Sequence, residues 1–416
     1  MITRIEAYRY RCFERLQLDI GPYQVLVGRN GAGKSTLLDI PILLGEMLQQ
    51  QNLRSAFFNP TASHKRPRAD GAQDLVFKRA GDWFALAVHL QLPPEVAVRA
   101  GATSVRYELA FGVEGSALRL TQEALILFDE LPAVEDLPET LWASSHLPDG
   151  KHFRVVLTRE LGGRTMFERE PRLRGPKASS AIFEMPADVP ALAFVPPDAE
   201  RHPAAAWLRS FLGRECMLYQ PALDSLRNAQ PSPGVGFAIA PDASTLAWSV
   251  LRFASEDARG FEEWNEHVAS ALPGFVRVEA RQREDDGFAY LRVHYRNGMM
   301  VPGHGLSDGT LAVLAYTILP YLPNAPRFLA VEEPENGIHP KAIEAILEML
   351  QVMEQTQVWI TSHSPIVAAV TALPNLLCLS IGKSGGVDVV PGSHHPVLAH
   401  WHGNPSLGTL HSAGVL

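Results

Sequence analysis

A glycine-rich loop near the start of the chain has the spacing of a phosphate-binding site. It matches the pattern G-x-x-x-x-G-K-[ST]. Backbone N–H groups of such a loop can surround a phosphate, the lysine adds charge between the β- and γ-phosphates, and the serine hydroxyl can bind Mg²⁺. By chance the fixed positions match in on the order of one chain in a hundred of this length. The predicted nucleotide-binding residues are Gly28, Arg29, Asn30, Gly31, Ala32, Gly33, Lys34, Ser35 and Thr36.

Two adjacent carboxylates follow a short apolar run in the last quarter of the chain. Residues 328–331 have the composition of a buried parallel strand, and Glu332 and Glu333 come directly after it. Side chains alternate along a strand, so both carboxylates can face one atom only if the backbone turns. We expect Glu332 to bind magnesium and Glu333 to orient and polarise the attacking water. The alternative is a solvated acidic pair at the start of a helix.

A histidine after a predicted strand and a serine at the start of a predicted helix are further candidate phosphate contacts. His363 comes after a second apolar strand, 357–361, and there it could hydrogen-bond a γ-phosphate and the attacking water. Ser307 and Gly309 open an apolar helix, and a helix N-terminus with a hydroxyl and a nearby glycine can bind an anion. Taken alone, the histidine could be structural and the serine an ordinary helix cap.

The hydrophobic pattern predicts an α/β fold that would position these residues. Strands at 2–8, 16–20 and 23–27 lead into the glycine loop, and a helix begins at Lys34. Short alternating segments between about 75 and 170 predict an antiparallel layer, and the last quarter alternates helices with parallel strands. The predicted divisions are 1–175 (glycine loop and antiparallel layer), 176–300 (mainly helical insertion), 301–390 (Ser307, Glu332, Glu333 and His363) and 391–416 (tail).

Composition narrows the class of protein. The 416 residues are 46% hydrophobic and 20% charged, which predicts a globular chain with a substantial core. A net charge of −8 does not favour whole-molecule attraction to nucleic acid or anionic lipid. Three widely spaced cysteines, a charged start without an apolar signal region, and no apolar run of spanning length predict a cytoplasmic protein with no membrane partner.

Four segments together resemble the ATP-binding-cassette (ABC) ATPases. In order along the chain they are GRNGAGKST (28–36), GLSDGT (305–310), FLAVEEPENGIHP (328–340) and ITSHSP (360–365). The similarity is to the soluble branch that includes RecF, the SMC-type heads and the OLD-family ATPases. It implies an ABC-type P-loop ATPase head, with a mixed or parallel sheet, an antiparallel β layer and a helical insertion.

The resemblance also implies roles for the motifs. Residues 28–36 would be the Walker A loop, 306–310 the signature motif, 328–333 the Walker B strand, 335–339 the D-loop region, and His363 the switch histidine. The expected ligands are ATP and Mg²⁺, with Ser35 and Glu332 on the metal. In this family two heads form a head-to-tail dimer, so Ser307 and Gly309 would contact the γ-phosphate held by the partner's Lys34.

Departures from the general ABC pattern indicate which branch of the family the chain resembles. Glu332 stands where most members have aspartate, and EEPENGIHP looks more like OLD-type and related stand-alone ATPases than like transporter subunits. The stretch between Ser35 and Ser307 has no heptads, which argues against a long SMC-type coiled coil. The residues after His363 are too few for the Toprim domain of OLD nucleases. We therefore expect a self-associating switch ATPase that regulates a separately encoded effector, a nuclease or toxin, in bacterial phage defence.

The sequence is also compatible with two other functions. A RecF-like repair ATPase would bind DNA directly, and the basic segments 64–68 and 164–177 could line its path, although such runs are usually solvated. A transporter ATPase subunit ranks lower. Several residues have only weak signals, namely Gln73 as the Q-loop glutamine, Tyr10, Arg11 and Phe13 as nucleotide contacts, and His394, His395, His400, His402 and His411 as metal ligands.

Overall fold

The computed structural model describes residues 1–129, 153–159, 163–168, 170, 181–195, 200–234, 236–398 and 406–412. The chain forms two compact units, and each is built from three separate stretches of sequence. Unit 1 comprises Met1–Pro22, Asn30–Cys216 and Leu379–Val390. Unit 2 comprises Tyr23–Arg29, Met217–Cys378 and Pro391–Leu416. The division therefore passes through the glycine loop instead of following the predicted boundaries at 175 and 300.

Strands and helices are numbered here in chain order. The strands are β1 (Ile2–Tyr10), β2 (Phe13–Asp19), β3 (Tyr23–Gly28), β4 (Trp83–Gln91), β5 (Ser104–Glu114), β6 (Ala117–Phe128), β7 (Phe153–Arg159), β8 (Arg164–Phe167), β9 (Ala181–Glu184), β10 (Cys216–Tyr219), β11 (Phe275–Gln282), β12 (Ala289–Tyr295), β13 (Met300–Pro302), β14 (Phe328–Glu332), β15 (Gln357–Ser362), β16 (Leu376–Ile381) and β17 (Val387–Pro391). The helices are α1 (Lys34–Gln50), α2 (Leu53–Phe58), α3 (Pro94–Ala100), α4 (Pro203–Ser210), α5 (Leu223–Leu226), α6 (Leu246–Glu256), α7 (Ala258–Ala271), α8 (Asp308–Thr317), α9 (Pro340–Gln351), α10 (Pro365–Val370) and α11 (Leu407–Ser412).

Unit 1 is built on a sheet in the order β2-β1-β4-β5-β6-β7-β8-β9. Every neighbouring pair in this sheet is antiparallel. β4 is buried along nearly its whole length, which explains its almost continuous apolar sequence. The predicted antiparallel layer is confirmed.

Helix α1 follows the glycine loop and is buried along most of its length. It contains Pro41, which has no N–H to donate to the preceding turn. It also contains Gly45, where a side chain would collide with the carbonyl oxygen of Leu212 in the π-helical turn Phe211–Glu215. Glycine at this position therefore allows the two backbones to pack closely.

A buried arginine ties the segment after α2 to helix α1. The Arg68 guanidinium donates to both carboxylate oxygens of Asp39 at 2.7 Å, to Glu46 at 2.5 Å and to the Ala56 carbonyl at 2.8 Å. The Arg68 side chain is 1% exposed, while those of Asp39 and Glu46 are 7% and 8% exposed. Arg68 belongs to the basic segment 64–68, and these contacts show that its charge is neutralised inside the unit.

A second charged cluster lies within the unit 1 sheet. His89 Nε2 lies 3.1 Å from Glu6 Oε1, and Arg106 donates to Glu6 at 2.6 Å and to Glu108 at 2.5 Å. All four residues are at most 1% exposed. Burial, and secondly the Arg106 charge, lower the pKa of His89 to about 3. His89 is therefore neutral in the folded protein at physiological pH.

Unit 2 contains the neighbouring strands β10, β14, β15, β3 and β16 of a second sheet, in that order. β14 pairs with β15 in parallel from Phe328 opposite Gln357 to Glu332 opposite Thr361. β15 pairs with β3 in parallel and ends with Ser362 opposite Val27. The predicted alternation of helices and parallel strands in the last quarter is thereby confirmed.

Helices α6, α7, α8 and α9 pack with the parallel strands into one continuous apolar core in unit 2. A small sheet in the order β11-β12-β13 joins this core through Val278, Leu291 and Val293. The region 176–300 thus holds β9, β10, β11 and β12 as well as the predicted helices. Among the described helices, none is both long enough and apolar enough to cross a membrane.

Candidate functional site

The unit 1 part of the glycine loop has the backbone that phosphate binding requires. Gly31 and Gly33 have φ angles of 79° and 84°, which favour glycine. A Cβ at Gly33 would lie 2.7 Å from the Cys12 sulfur, so space also excludes a side chain there. Lys34 begins α1, and within the described chain this helix has neither a side-chain N-cap hydrogen bond nor an acidic residue in its first turn. An uncapped helix N-terminus of this kind fits an anionic ligand.

Several of the remaining motif residues lie at one edge of the unit 2 sheet. Strands β14, β15 and β3 run parallel, so their carboxyl ends lie on the same side. Glu332 is level with Thr361, which is level with Leu26. Consequently Glu332, His363 and Gly28 all lie at or just beyond this edge.

Glu333 and His363 form a hydrogen-bonded pair at the edge. His363 Nε2 lies 2.9 Å from Glu333 Oε1, and the two side chains are 32% and 35% exposed. Asn336 Nδ2 donates to the other carboxylate oxygen of Glu333 at 3.0 Å. The carboxylate is therefore held by two neighbours and remains accessible to water.

The backbone turns at Glu333, directly after the end of β14. Its φ angle is 44°, which is uncommon for a residue other than glycine. Its N–H donates to the Thr361 carbonyl at 2.9 Å, and this bond between strand ends holds the turn. The turn separates the surroundings of the two carboxylates, because Glu332 accepts a hydrogen bond from Gln220 at 2.7 Å while Glu333 contacts His363.

Glu335 connects the turn after β14 with the turn after β15. Its Oε1 accepts hydrogen bonds from Ser362 Oγ at 2.6 Å, the His363 N–H at 2.9 Å and the Ser364 N–H at 3.1 Å. Ser364 also caps α10 by accepting from the Ile366 N–H at 3.2 Å. One carboxylate oxygen therefore accepts hydrogen bonds from three consecutive residues, with His363 in the middle.

The signature segment forms an exposed helix start in unit 2. Ser307 caps α8 by accepting from the Thr310 N–H at 3.2 Å, and it is itself exposed. Arg227 donates to the Leu306 carbonyl and pairs with Asp308 on both sides of this serine. A Cβ at Gly309 would lie 3.9 Å from the Gly337 carbonyl oxygen, so the helix start passes close to the turn that follows Glu333.

The structure assigns the predicted site residues to two groups. Asn30, Gly31, Ala32, Gly33, Lys34, Ser35 and Thr36 belong to unit 1, whereas Gly28, Arg29, Ser307, Gly309, Glu332, Glu333 and His363 belong to unit 2. Within unit 2, Glu332, Glu333 and His363 come together at the strand ends.

The weaker candidates have other surroundings. Gln73 donates to the carbonyls of Arg79 and Gly81, at 3.0 and 2.8 Å, and Tyr10 and Phe13 are buried in the core. His394 is exposed and His395 half-buried, while His400, His402, residues 171–177 and the His411 side chain lie outside the described residues. In the described part of the chain, no three His, Cys, Asp or Glu side chains form a metal-binding group.

Sequence reasoning missed the side chains that hold the site. Gln220 follows β10, a four-residue strand within a region predicted to be mainly helical. Asn336 and Glu335 lie in the predicted D-loop region, but no role was expected for either side chain. The signal available for Glu335 was its place two residues after Glu333, across a proline that restrains the turn.

A family match covers the part of the chain that includes Ser307, Glu332, Glu333 and His363. Residues 189–369, less than half of the chain, match the family described as "AAA domain, putative AbiEii toxin, Type IV TA system". A stretch of 48 residues is 42% identical to an OLD nuclease of Thermus scotoductus, and it covers 11% of this chain and 9% of that nuclease.

Solved structures of SMC heads resemble the whole chain more distantly. One is an SMC head bound to the C-terminal winged-helix domain of ScpA, with 12% identity, a TM-score of 0.47 and coverage of 94% of this chain and 97% of that chain. Another is the SMC head from Thermotoga maritima, with 11% identity, a TM-score of 0.39 and coverage of 94% and 98%. At these scores the assignment rests on the motifs and the sequence matches.

The motifs and the two sequence matches support an ABC-type ATPase of the branch that includes RecF, the SMC-type heads and the OLD proteins. The mixed fold with separate antiparallel and parallel sheets agrees with this class.

Proposed function

We propose that this protein binds and hydrolyses ATP as a nucleotide-controlled switch. The observation that carries the proposal is the carboxyl edge of the unit 2 sheet, where the Glu333–His363 pair lies beyond strands parallel to the one that enters the glycine loop. A paired, partly exposed carboxylate at this position suits activation of water for attack on a phosphate.

Each motif residue has a distinct role in the proposed reaction. The N–H groups from Gly28 to Thr36 and the Lys34 ammonium bind the phosphates. Glu333 accepts a proton from the attacking water, and His363 donates a hydrogen bond to Glu333 and keeps it oriented. Ser35 and Glu332 are the proposed ligands of Mg²⁺.

Each of these two residues offers an oxygen donor of the kind that suits magnesium. The hydroxyl of Ser35 is exposed, and Glu332 is a half-buried carboxylate that already accepts a hydrogen bond from Gln220. Hydroxyl and carboxylate oxygens are ligands that Mg²⁺ prefers. When bound, the ion would supply positive charge next to the γ-phosphate.

The proposed output is a head-to-tail dimer that controls a separate effector in phage defence. The exposed N-terminus of α8, with Ser307 and Gly309, is suited to contact the γ-phosphate held by a second copy. The defence role is supported by analogy with the matched family, whose description names a toxin of a type IV system, and with the short OLD nuclease match.

Two substitutions test the ATPase. Glu333→Gln should retain ATP binding, lower kcat by about 10²–10⁴-fold and accumulate an ATP-bound dimer in light scattering, because the base is lost while the phosphate contacts remain. Lys34→Ala should fail to bind ATP. Glu344→Gln, an exposed carboxylate on α9, is the matched control and should behave as wild type. Normal turnover by Glu333→Gln would overturn the catalytic assignment.

The proposed effector has its own test. A tagged Glu333→Gln protein held in ATP should capture the product of a neighbouring nuclease or toxin gene, and Lys34→Ala should not. A gene neighbourhood without any such gene, combined with no ATP-dependent capture, would contradict the regulatory role and leave the ATPase itself unaffected.

A further inference from the structure

Glu335 makes more hydrogen bonds to the turn after β15 than its place beyond the catalytic motif would suggest. Three donors from consecutive residues, Ser362, His363 and Ser364, converge on its Oε1 atom at 2.6–3.1 Å. Hydrogen bonds to an ionised carboxylate are roughly twice as strong as those between neutral groups. The carboxylate therefore fixes the local backbone from which the imidazole extends.

The turn that carries Glu335 is itself constrained. The Asn336 N–H donates to the Glu333 carbonyl, and the Ile338 N–H donates to the Glu335 carbonyl, both at 3.1 Å. Pro334 fixes its own backbone between the two glutamates. Glu333 and Glu335 are thus rigidly linked, and one engages the histidine side chain while the other engages the histidine backbone.

We propose that Glu335 is a positioning residue that keeps the His363 imidazole in hydrogen-bond contact with Glu333. It acts through His363 and contacts neither water nor phosphate in this role. The proposal rests on the proposed ATPase function for its effect on turnover, but the geometry of the contact stands independently of that function.

Kinetics of the variants test the role. Glu335→Ala should lower kcat by about 10–100-fold, because a displacement of about 1 Å can cost 10²-fold. The KM for ATP should stay within about twofold, since the phosphate contacts remain. Glu335→Gln keeps an acceptor oxygen and should recover most of the loss, whereas exposed Glu344→Ala should match wild type.

A double-mutant cycle separates positioning from general stabilisation. If Glu335 acts through His363, then Glu335→Ala should change kcat by less than about twofold in a His363→Ala background. A purely structural residue would cost the same factor in both backgrounds. Equal costs, or an unchanged kcat in Glu335→Ala, would overturn the proposal.

Amide hydrogen exchange reports the contact without ATP. In Glu335→Ala the His363 amide loses the Glu335 acceptor, so its exchange should accelerate at least about tenfold. The Ser364 amide also donates to Ser362 Oγ at 2.9 Å, so its exchange should change less. In Glu335→Gln the exchange rates of these amides should remain closer to those of the wild type. This variant replaces Glu335→Ala in the test if the alanine variant does not fold. If the wild type shows no ATPase activity but amide exchange is faster in Glu335→Ala, the proposed ATPase function is wrong and the proposed Glu335 contact is still supported. Unchanged exchange would refute the positioning role.

Discussion

Replacing Arg68 with alanine should destabilise unit 1 strongly. A solvent-exposed arginine in the basic segment 64–68 would be expected to have only a small effect. The change removes the cation from between Asp39 and Glu46, both on α1 and both buried. Removing one partner of a buried ion pair costs about 3–5 kcal/mol, because the remaining charge lies uncompensated in a poorly solvated site. The lost bond to the Ala56 carbonyl adds about 1 kcal/mol.

The pH dependence gives this prediction a second signature. Burial by itself would raise the pKa of Glu46, but the Arg68 charge and several hydrogen bonds outweigh it and lower that pKa. In the wild type, Glu46 thus stabilises the fold above its unfolded pKa of about 4.5, and this contribution disappears as the pH falls through its lower folded value. Without Arg68, Glu46 loses its compensating charge while its burial remains, so its folded pKa should rise. The difference between the two proteins should narrow as the pH falls from 7.5 to 5.

Urea unfolding at both pH values measures the effect. We expect a loss of about 4–6 kcal/mol at pH 7.5, comparable with the lower end of the roughly 5–15 kcal/mol that typically stabilises a domain. Arg54→Ala, an exposed arginine on α2, is the control and should stay within about 0.5 kcal/mol. A combined Arg68→Met, Asp39→Asn, Glu46→Gln variant should recover most of the loss. A loss below about 1 kcal/mol, or one that does not change with pH, would refute the reasoning.

Three further predictions concern unit 1. Gly33→Ala should weaken ATP binding measured by calorimetry, because both its positive φ and the Cys12 sulfur exclude a Cβ, and adding Cys12→Ala should relieve only the steric part. Gly45→Ala should lower the urea midpoint despite alanine's helix preference of about 1 kcal/mol, because the methyl group would collide with the Leu212 carbonyl; an increase would contradict the packing described. For His89, whose folded pKa is lowered to about 3, stability should fall by about 1.4 kcal/mol per unit as the pH decreases from 6.5, and His89→Gln should lose this slope.

The sequence was most informative where a motif and a local pattern coincide. Lys34 was expected to begin a helix and Ser307 to cap one, and both do. The alternation of apolar runs with helices predicts that Glu332 and His363 lie at one sheet edge, because the carboxyl ends of parallel strands are on the same side.

Features that depend on distant partners could not be predicted. β10 has only four residues, and its pairing with β14 gives no local signal, so Gln220 was not recognised as a neighbour of Glu332. The left-handed backbone at Glu333 is held by the hydrogen bond that its N–H donates to the Thr361 carbonyl near the end of β15. Residue preferences alone would not place a glutamate in that conformation.

The placement of β3 between β15 and β16 has a consequence for synthesis. β3 (Tyr23–Gly28) is translated more than 300 residues before its neighbour β15 (Gln357–Ser362). At roughly 5–20 residues per second, this apolar strand waits for tens of seconds without its native neighbour. Pairings between such distant segments also form slowly. The nascent chain is therefore exposed to aggregation during this interval, and chaperone binding to its N-terminal part would shield β3 until translation supplies β15.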